Sequence, residues 1–393
     1  MDVCIYFQVH QPMRLKRVYS IYKIRDPYED YFDHELNQKI LKKVAEKCYF
    51  PTNSLLLNLA DKYDFKFSFS ITGVFLEQCK RYYPEVLDSF IELAKHKNVS
   101  ILSETYYHSL ASLFPSKLEF IQQVREHKEI LAKYGITTTS AFRNTELILS
   151  NEIASAVESM EHTVILGEGI ENLLGWRSPN YLYHVNKTKH IKALLRNYRL
   201  SDDIGYRFSA KWWSEYPLTA EKYAAWLAAT SGNTINLFMD YETFGEHHWK
   251  DTGIFEFLKK LPEEVLKYNY LEFNHPHKIA EKHNAYDTID AYYPISWADM
   301  ERDVSAWLGN DMQRECFKAV QEIETEVRDT YDKYLLHIWR LLQTSDHLYY
   351  LSTKSLSDQD VHNYFSHYDS PFEAFINYMN IINHFKGLLN GKK

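Results

Sequence analysis

Short apolar runs alternate with amphipathic segments through the first two-thirds of the chain, and this alternation limits the possible folds more than any other feature. The runs are VCIYFQV (3–9), FKFSFSI (65–71), VSIL (99–102), SAFRN (140–144), TVIL (163–166), IKALLRN (191–197) and TINLFM (234–239). FKFSFSI alternates strictly and reads as a half-buried strand. The others are more continuously apolar, as parallel strands covered on both faces are. Between them, PEVLDSFIELAKHK (84–97) opens on Pro84 and sets Val86, Leu87, Phe90, Ile91 and Ala94 on one helical face. KLEFIQQVREHKEILAKYG (117–135) closes on Gly135, a helix stop, and EIASAVESM (152–160) is a third helical segment. Strand–helix alternation of this kind means βαβ units and a parallel sheet.

Beyond about residue 290 the strand signal stops. The stretch from ADMERDVSAWLGNDMQ onward reads as consecutive helices, and FEAFINYMNIINHFKGLLNG closes the chain as another. The expectation is an α/β domain over 1–290 followed by a helical domain over 291–393, packed as one body.

Composition excludes several function classes. Hydrophobic residues make up 45% of the 393, enough for a large core. The formal net charge of −8, with no long basic run, argues against a nucleic-acid partner and against an anionic membrane. No apolar run approaches the length of a membrane span, and MDVCIYFQVHQPM reads as a strand rather than a secretion signal. Cys4, Cys48, Cys79 and Cys316 form no CxxC pair, which fits a reducing cytoplasm better than a disulfide framework or zinc ribbon. Aromatic content is 16%, with 31 tyrosines; such side chains stack on sugar rings, and they also fill ordinary cores.

Polar residues gather just after the runs: His10-Gln11 after the first, Glu77 beyond the second, Ser103-Glu104 after the third. Arg143-Asn144-Thr145-Glu146 follow the fourth, Arg196-Asn197 the sixth, and Asp240-Tyr241-Glu242 the seventh. Parallel α/β folds build their sites at the carboxyl ends of strands. One acid there is explained by helix capping; several on one rim predict an acidic pocket. There is no G-x-S-x-G, G-x-G-x-x-G or Walker lysine motif. His10, Asp240 and His247 could form a mixed Asp/His metal site of the polysaccharide-deacetylase kind. Two carboxylates on different strands, Glu146 and Asp240, suit glycoside hydrolysis, one as nucleophile and one as proton donor.

Local signatures then line up in order: HQP (10–12), GVFLEQ (73–78), AFRNTELIL (141–149), LFMDYETFGEHHW (237–249) and LLQTSDHLYY (341–350). NYRLSDDIGYRFS (197–209) and ISWADMERDVSAWLGNDMQ (295–313) extend the match. In these the chain resembles glycoside hydrolase family 57, in particular its α-amylase-like branch. The resemblance implies a catalytic (β/α)7 barrel with a helical domain closing over the cleft. It implies retaining cleavage of α-1,4-glucans with no metal or other cofactor. Glu146 would be the nucleophile and Asp240 the general acid/base. His10, Glu77 and Glu242 would bind sugar hydroxyls, and Asp346 would reach the cleft from the helical domain. The same intermediate would serve a 4-α-glucanotransferase or branching enzyme, and a catalytically silent glucan-binding protein could keep the scaffold.

Elementary electrostatics adds detail. Asp240 must be protonated to act, so burial and a neighbouring negative charge, with Glu242 the nearest in sequence, should raise its pKa. Glu146 should be ionised, with Arg143 or His10 as charge partner. His247 and Trp249, in the loop after the seventh run, are further candidate sugar contacts.

Overall fold

In the computed structural model, which describes residues 1–17, 24–354, 362 and 364–391, each of the seven runs lies on a strand. These are β1 (Asp2–Val9), β2 (Phe67–Ile71), β3 (Val99–Ser103), β4 (Thr138–Phe142), β5 (Val164–Glu168), β7 (Lys192–Arg196) and β8 (Thr234–Asp240). Three short strands, β6 (Tyr183–Val185), β9 (Glu272–Phe273) and β10 (Asp287–Ile289), were not expected from the sequence. The order is β10-β6-β7-β5-β4-β3-β2-β1-β8, with β9 beside the start of β1. The seven long strands are mutually parallel along this path.

The sheet curls until β7 approaches β8. Among the described residues that seam has no ladder. It is bridged by Asn197 N–H donating to the Asn236 carbonyl at 2.9 Å, by the Asn236 side chain donating to the Leu195 carbonyl at 2.8 Å, and by Arg196 Nε donating to the Phe238 carbonyl at 2.8 Å. The fold is α/β with a curled, largely parallel sheet.

Alternation along the strands separates two buried faces. Val3, Ile5, Phe7 and Val9 pack outward with Phe67, Phe69 and Ile71 against the surrounding helices. Cys4 and Tyr6 face inward with Leu102, Leu166 and Phe238. The half-buried reading of FKFSFSI is therefore corrected: Ser68 and Ser70 are fully buried. Ser68 Oγ bonds Ser100 Oγ at 2.8 Å, and Ser70 Oγ donates to Gln8 Oε1 at 2.9 Å. The serines satisfy one another inside the curl, so polarity here marks the interior and not solvent.

The predicted helices form over Pro84–Ala94, Leu118–Lys133 and Asn151–Ser159. From Ser305 onward the regular elements are helices, including Asp311–Glu322, Lys333–Leu341 and Pro371–Gly391. Residues 298–304, expected to be helical, instead form an irregular loop in which Asp299 and Arg302 take left-handed φ of 54° each. Two such residues break an α-helix. The helices share one apolar cluster with the sheet, in which Trp307, Trp339 and Tyr378 pack with Phe142, Ile165 and Leu195. Glu119, fully buried on Leu118–Lys133, adds a polar clamp: it accepts from Arg340 Nε at 2.7 Å and from Arg328. No helix among the described residues is long and apolar enough to cross a membrane.

Candidate active site

The carboxyl ends of β1, β4 and β8 open into a cavity of about 900 Å3. His10, Glu146, Asp240, Glu242, His247, Trp249 and Asp346 all line it. Widely separated segments of the sequence thus supply one site.

Glu146 sits in a tight turn after β4, with φ 55°, and Leu147 follows at 52°. The turn is held by Asn144, whose side-chain NH2 donates to the Ile148 carbonyl at 2.8 Å and to Ser112 Oγ at 2.9 Å. Left-handed backbone costs a non-glycine residue about 1–2 kcal/mol, and such strain concentrates at functional positions. The Glu146 carboxylate accepts from Trp297 Nε1–H at 2.6 Å and from His108 Nε2 at 2.8 Å. Burial would raise its pKa, but the bond and charge of His108, the charge of Arg143 and the Trp297 bond outweigh it and hold the carboxyl below its ordinary range.

Asp240, the last residue of β8, behaves oppositely. Burial first, and then the charge of Glu146, push its pKa up to about 6; Arg143, His108 and Arg196 pull the other way. The expectation that Glu242 supplies this repulsion is corrected. Glu242 lies in the turn after the strand, where Tyr49 O–H donates to it at 2.5 Å, and burial pushes its own pKa up to about 8. Of the two neighbouring carboxyls Glu242 is thus the harder to ionise, and Glu146 is the charge that acts on Asp240.

His10 does not pair with Glu146. Its Nε2 meets Asp346 Oδ2 at 3.2 Å and its Nδ1 meets Thr72 Oγ1 at 2.9 Å. Burial, and next the charge of His108, lower its pKa to about 4. Against burial, the bond from His10 keeps Asp346 well below the usual carboxylate range.

Two candidate site residues, Arg143 and Glu77, do not line the cavity. Arg143 is fully buried behind it, its guanidinium 5.2 Å from the Trp297 ring centroid and 3.9 Å from Glu104 Oε2. It acts on the site through its field. Glu77 lies within the helix Gly73–Tyr82, capped by Thr72, and turns toward Tyr106, whose O–H donates to it at 2.6 Å. A residue one turn into that helix is carried away from the strand rim.

By residue type, His10, His108 and Asp346 could supply metal ligands, their ligand atoms lying within 4.8 Å of one another. The two imidazoles, however, stack at 4.0 Å with 19° between their planes. Imidazole binds a metal in its ring plane at about 2.0–2.1 Å, and stacked rings share no such point. His247, from the other conceivable metal set, turns its ring to Phe365 at 5.9 Å.

Residues 4–292 match the model of Glycosyl hydrolase family 57. The chain belongs to that family. It is a glycoside hydrolase. A protein of Methanocaldococcus jannaschii, provisionally named an alpha-amylase, is 49% identical over 390 residues, covering 97% of this chain and 83% of the relative. Among solved structures, the family 57-type branching enzyme of Pyrococcus horikoshii aligns with a TM-score of 0.68 at 13% identity, over 98% of this chain and 88% of that one. The 4-alpha-glucanotransferase of Thermococcus litoralis aligns with a TM-score of 0.66 at 13% identity; 88% of this chain is covered but only 56% of that one. These structural likenesses establish the shared fold.

The family 57 cavity also contains His108, which the sequence reading did not single out, and Trp297, which it offered only as a stacking platform or a core residue. His108 follows β3 by five residues, beyond the Ser103-Glu104 rim where that reading stopped. Trp297 comes from the loop before the helices; the guanidinium carbons of Arg143 and Arg196 lie 5.2 and 5.6 Å from its ring centroid. Arg196 in turn bonds Glu168 at 3.0 Å and pairs with Asp202, whose sequence SDD suits a loop turn or cap first and a cleft-shaping role second. Arg302 donates to the Trp297 carbonyl and contacts both acids, tying the loop to the strand ends. The available signal was the Trp, Asp and Arg content of SWADMERD, which helical periodicity obscured.

Proposed function

We propose that this family 57 enzyme is a retaining hydrolase of the α-amylase type, acting on α-1,4-glucans such as starch, glycogen or maltodextrin. Glu146 attacks the anomeric carbon while Asp240 gives its proton to the departing oxygen, leaving a β-linked glycosyl-enzyme. Asp240 then takes a proton from water, whose oxygen displaces Glu146, and the product keeps the α configuration. The observation that carries this reading is the divergence of two carboxyls in one cavity: one held ionised by His108 and Trp297, the other raised to about 6.

The substrate class rests on the shape and lining of the cavity. Tyr206 and Trp249 are each 58% exposed and Tyr364 59%, at the wall of a cavity also lined by acids, histidines, glutamines and arginines. Flat rings beside hydrogen-bonding groups suit sugar faces and hydroxyls. In this reading His10, Glu242 and Asp346 take hydroxyls of the sugar at the cleavage point, and His247 and Trp249 contact the chain beyond it. The curled sheet and its helices over 1–290 are, in this reading, the catalytic (β/α)7 barrel, its β7–β8 seam bridged without a ladder, and 291–393 is the helical domain. Four buried free cysteines accord with a cytoplasmic location.

Incubation with maltoheptaose, resolving products over time, tests the reaction. Shorter maltooligosaccharides with a matching rise in reducing ends are expected. Longer chains without that rise would assign the intermediate to a sugar acceptor, as in a glucanotransferase or branching enzyme. Binding without turnover would leave a glucan-binding scaffold.

A further inference from the structure

His108 enters the reading above only as a hydrogen-bond partner of Glu146. It is 2% exposed and faces a carboxylate at each ring nitrogen. Nε2 meets Glu146 Oε1 at 2.8 Å. Nδ1 points to Glu104 Oε2 at 3.9 Å, an ion-pair distance rather than a hydrogen bond. Glu104 is fully buried, and Gln8 Nε2 approaches the same oxygen at 3.4 Å.

The backbone around His108 is built to hold this placement. His108 has φ 50° and Glu146 has φ 55°, so both ends of one hydrogen bond are left-handed non-glycine residues. Thr105 and Thr145 join the two loops through a hydroxyl–hydroxyl bond of 2.8 Å. The helical segment clamps the same loop: Ser345 N–H donates to the His108 carbonyl at 3.0 Å, and Thr344 Oγ1 donates to the Tyr107 carbonyl at 3.0 Å.

We propose that His108 is a positioning residue for the first step: a standing imidazolium, set between Glu104 and Glu146, that aims the Glu146 carboxylate and keeps it ionised beside Asp240. The proposal rests on Glu146 being the nucleophile. The charged groups facing His108 are Glu104 on its own loop, Glu146 and Arg143 after β4, Asp240 on β8, Asp346 from the helical segment, and His10 stacked at 4.0 Å on β1's end. Burial disfavours the imidazolium, but the two glutamates outweigh it and push its pKa up to about 9. His10 gives way and stays neutral, so the stacked pair carries one positive charge. Arg196 and Arg302, which line the cavity, are paired with Glu168 and Asp202, and the cation that touches Glu146 is His108.

Two measurements test this. The first is imidazole 15N NMR of the full chain, with His108 assigned by the signal lost in His108→Gln. The ring is expected to remain doubly protonated at pH 7.5, and Glu104→Gln, which keeps the ring and removes its counter-charge, should lower its pKa by about one unit or more. Titration near the ordinary histidine value overturns the proposal. The second uses α-maltosyl fluoride, whose leaving group needs no proton from Asp240. In His108→Gln the acid limb of kcat/KM, which reports Glu146 ionisation, should move up by about one pH unit, with kcat falling more than KM rises. A uniform loss at every pH, with the limb unmoved, would mean that His108 only fills space. If the wild type releases no fluoride, the glucan-hydrolase reading fails by itself, while the NMR result still decides whether His108 is charged. If His108→Gln does not fold, Glu104→Gln serves both arms.

Discussion

Trp297 donates its indole N–H to Glu146 at 2.6 Å while its backbone N–H meets the Glu146 carbonyl at 3.3 Å. One residue from the loop before the helices thus grips both the carboxylate and the main chain of the proposed nucleophile. Arg143 and Arg196 both make cation–π contact with the ring that makes the grip, at 5.2 and 5.6 Å from its centroid.

Trp297→Phe keeps an aromatic ring beside the two arginines and removes only the donor. A hydrogen bond to a charged group contributes about 1.5–3 kcal/mol, so kcat/KM on maltoheptaose should fall about ten- to hundredfold, with the acid limb shifted upward. Unchanged kinetics would show that Glu146 needs no donor from this loop.

Asp240 gives a stability prediction with a definite sign. Its pKa rises from 3.8 to about 6 on folding, so the folded state holds the proton more tightly than the unfolded chain. Wild type is therefore penalised progressively as pH rises from 3.8 to 6, and fully above that, by up to about 3 kcal/mol at 1.36 kcal/mol per unit. Asp240→Asn should melt above wild type at pH 7.5, and the difference should shrink toward pH 4. Equal melting temperatures at pH 7.5 would contradict a raised Asp240 pKa. The same variant should lose about 10²–10⁴-fold in hydrolysis of natural glucans, as loss of a general acid does.

Glu119 tests how the helices are attached. It is fully buried, accepts from Arg340 and Arg328, and also from Gln123 Nε2 at 2.8 Å. Glu119→Gln removes one of the two carboxylates that meet the buried Arg340, which keeps Glu126, and one of the two that meet the partly exposed Arg328, which keeps Glu324. Breaking a fully buried pair costs about 3–5 kcal/mol, so a loss up to that size is expected. Urea denaturation should register that loss, while kcat per folded molecule stays near wild type. A neutral effect on stability would mean that the apolar cluster around Trp339 suffices.

The sequence made the strand ends legible and the loops opaque. Asp240 ends β8 and Glu146 follows β4 by four residues, at the rim where parallel strands deliver side chains. His108 and Trp297 arrive from connections, which carry no periodicity to place them. Glu77 was misplaced because Thr72 caps a helix at once and takes it off the rim. FKFSFSI misled because alternation reports two unlike surroundings, and in a curled sheet the second is a polar interior. The segment before Ser305 has helical composition, but left-handed Asp299 and Arg302 make it a loop, a conformation set by the tertiary contacts of Arg302 rather than by local preference. Strands as short as β6, β9 and β10 offer too few residues to show a period.

The central claim is that Glu146 forms a covalent bond to the sugar. A 5-fluoro-α-glycosyl fluoride of the maltose series carries a leaving group that departs without acid help, and its ring fluorine slows the second step, so the glycosyl-enzyme accumulates. Proteolysis and mass spectrometry of the trapped protein should find the added sugar on the peptide containing Glu146, and Glu146→Gln should abolish it. A label on Asp240, Glu242 or any other carboxylate, or labelling that survives in Glu146→Gln, would contradict the account.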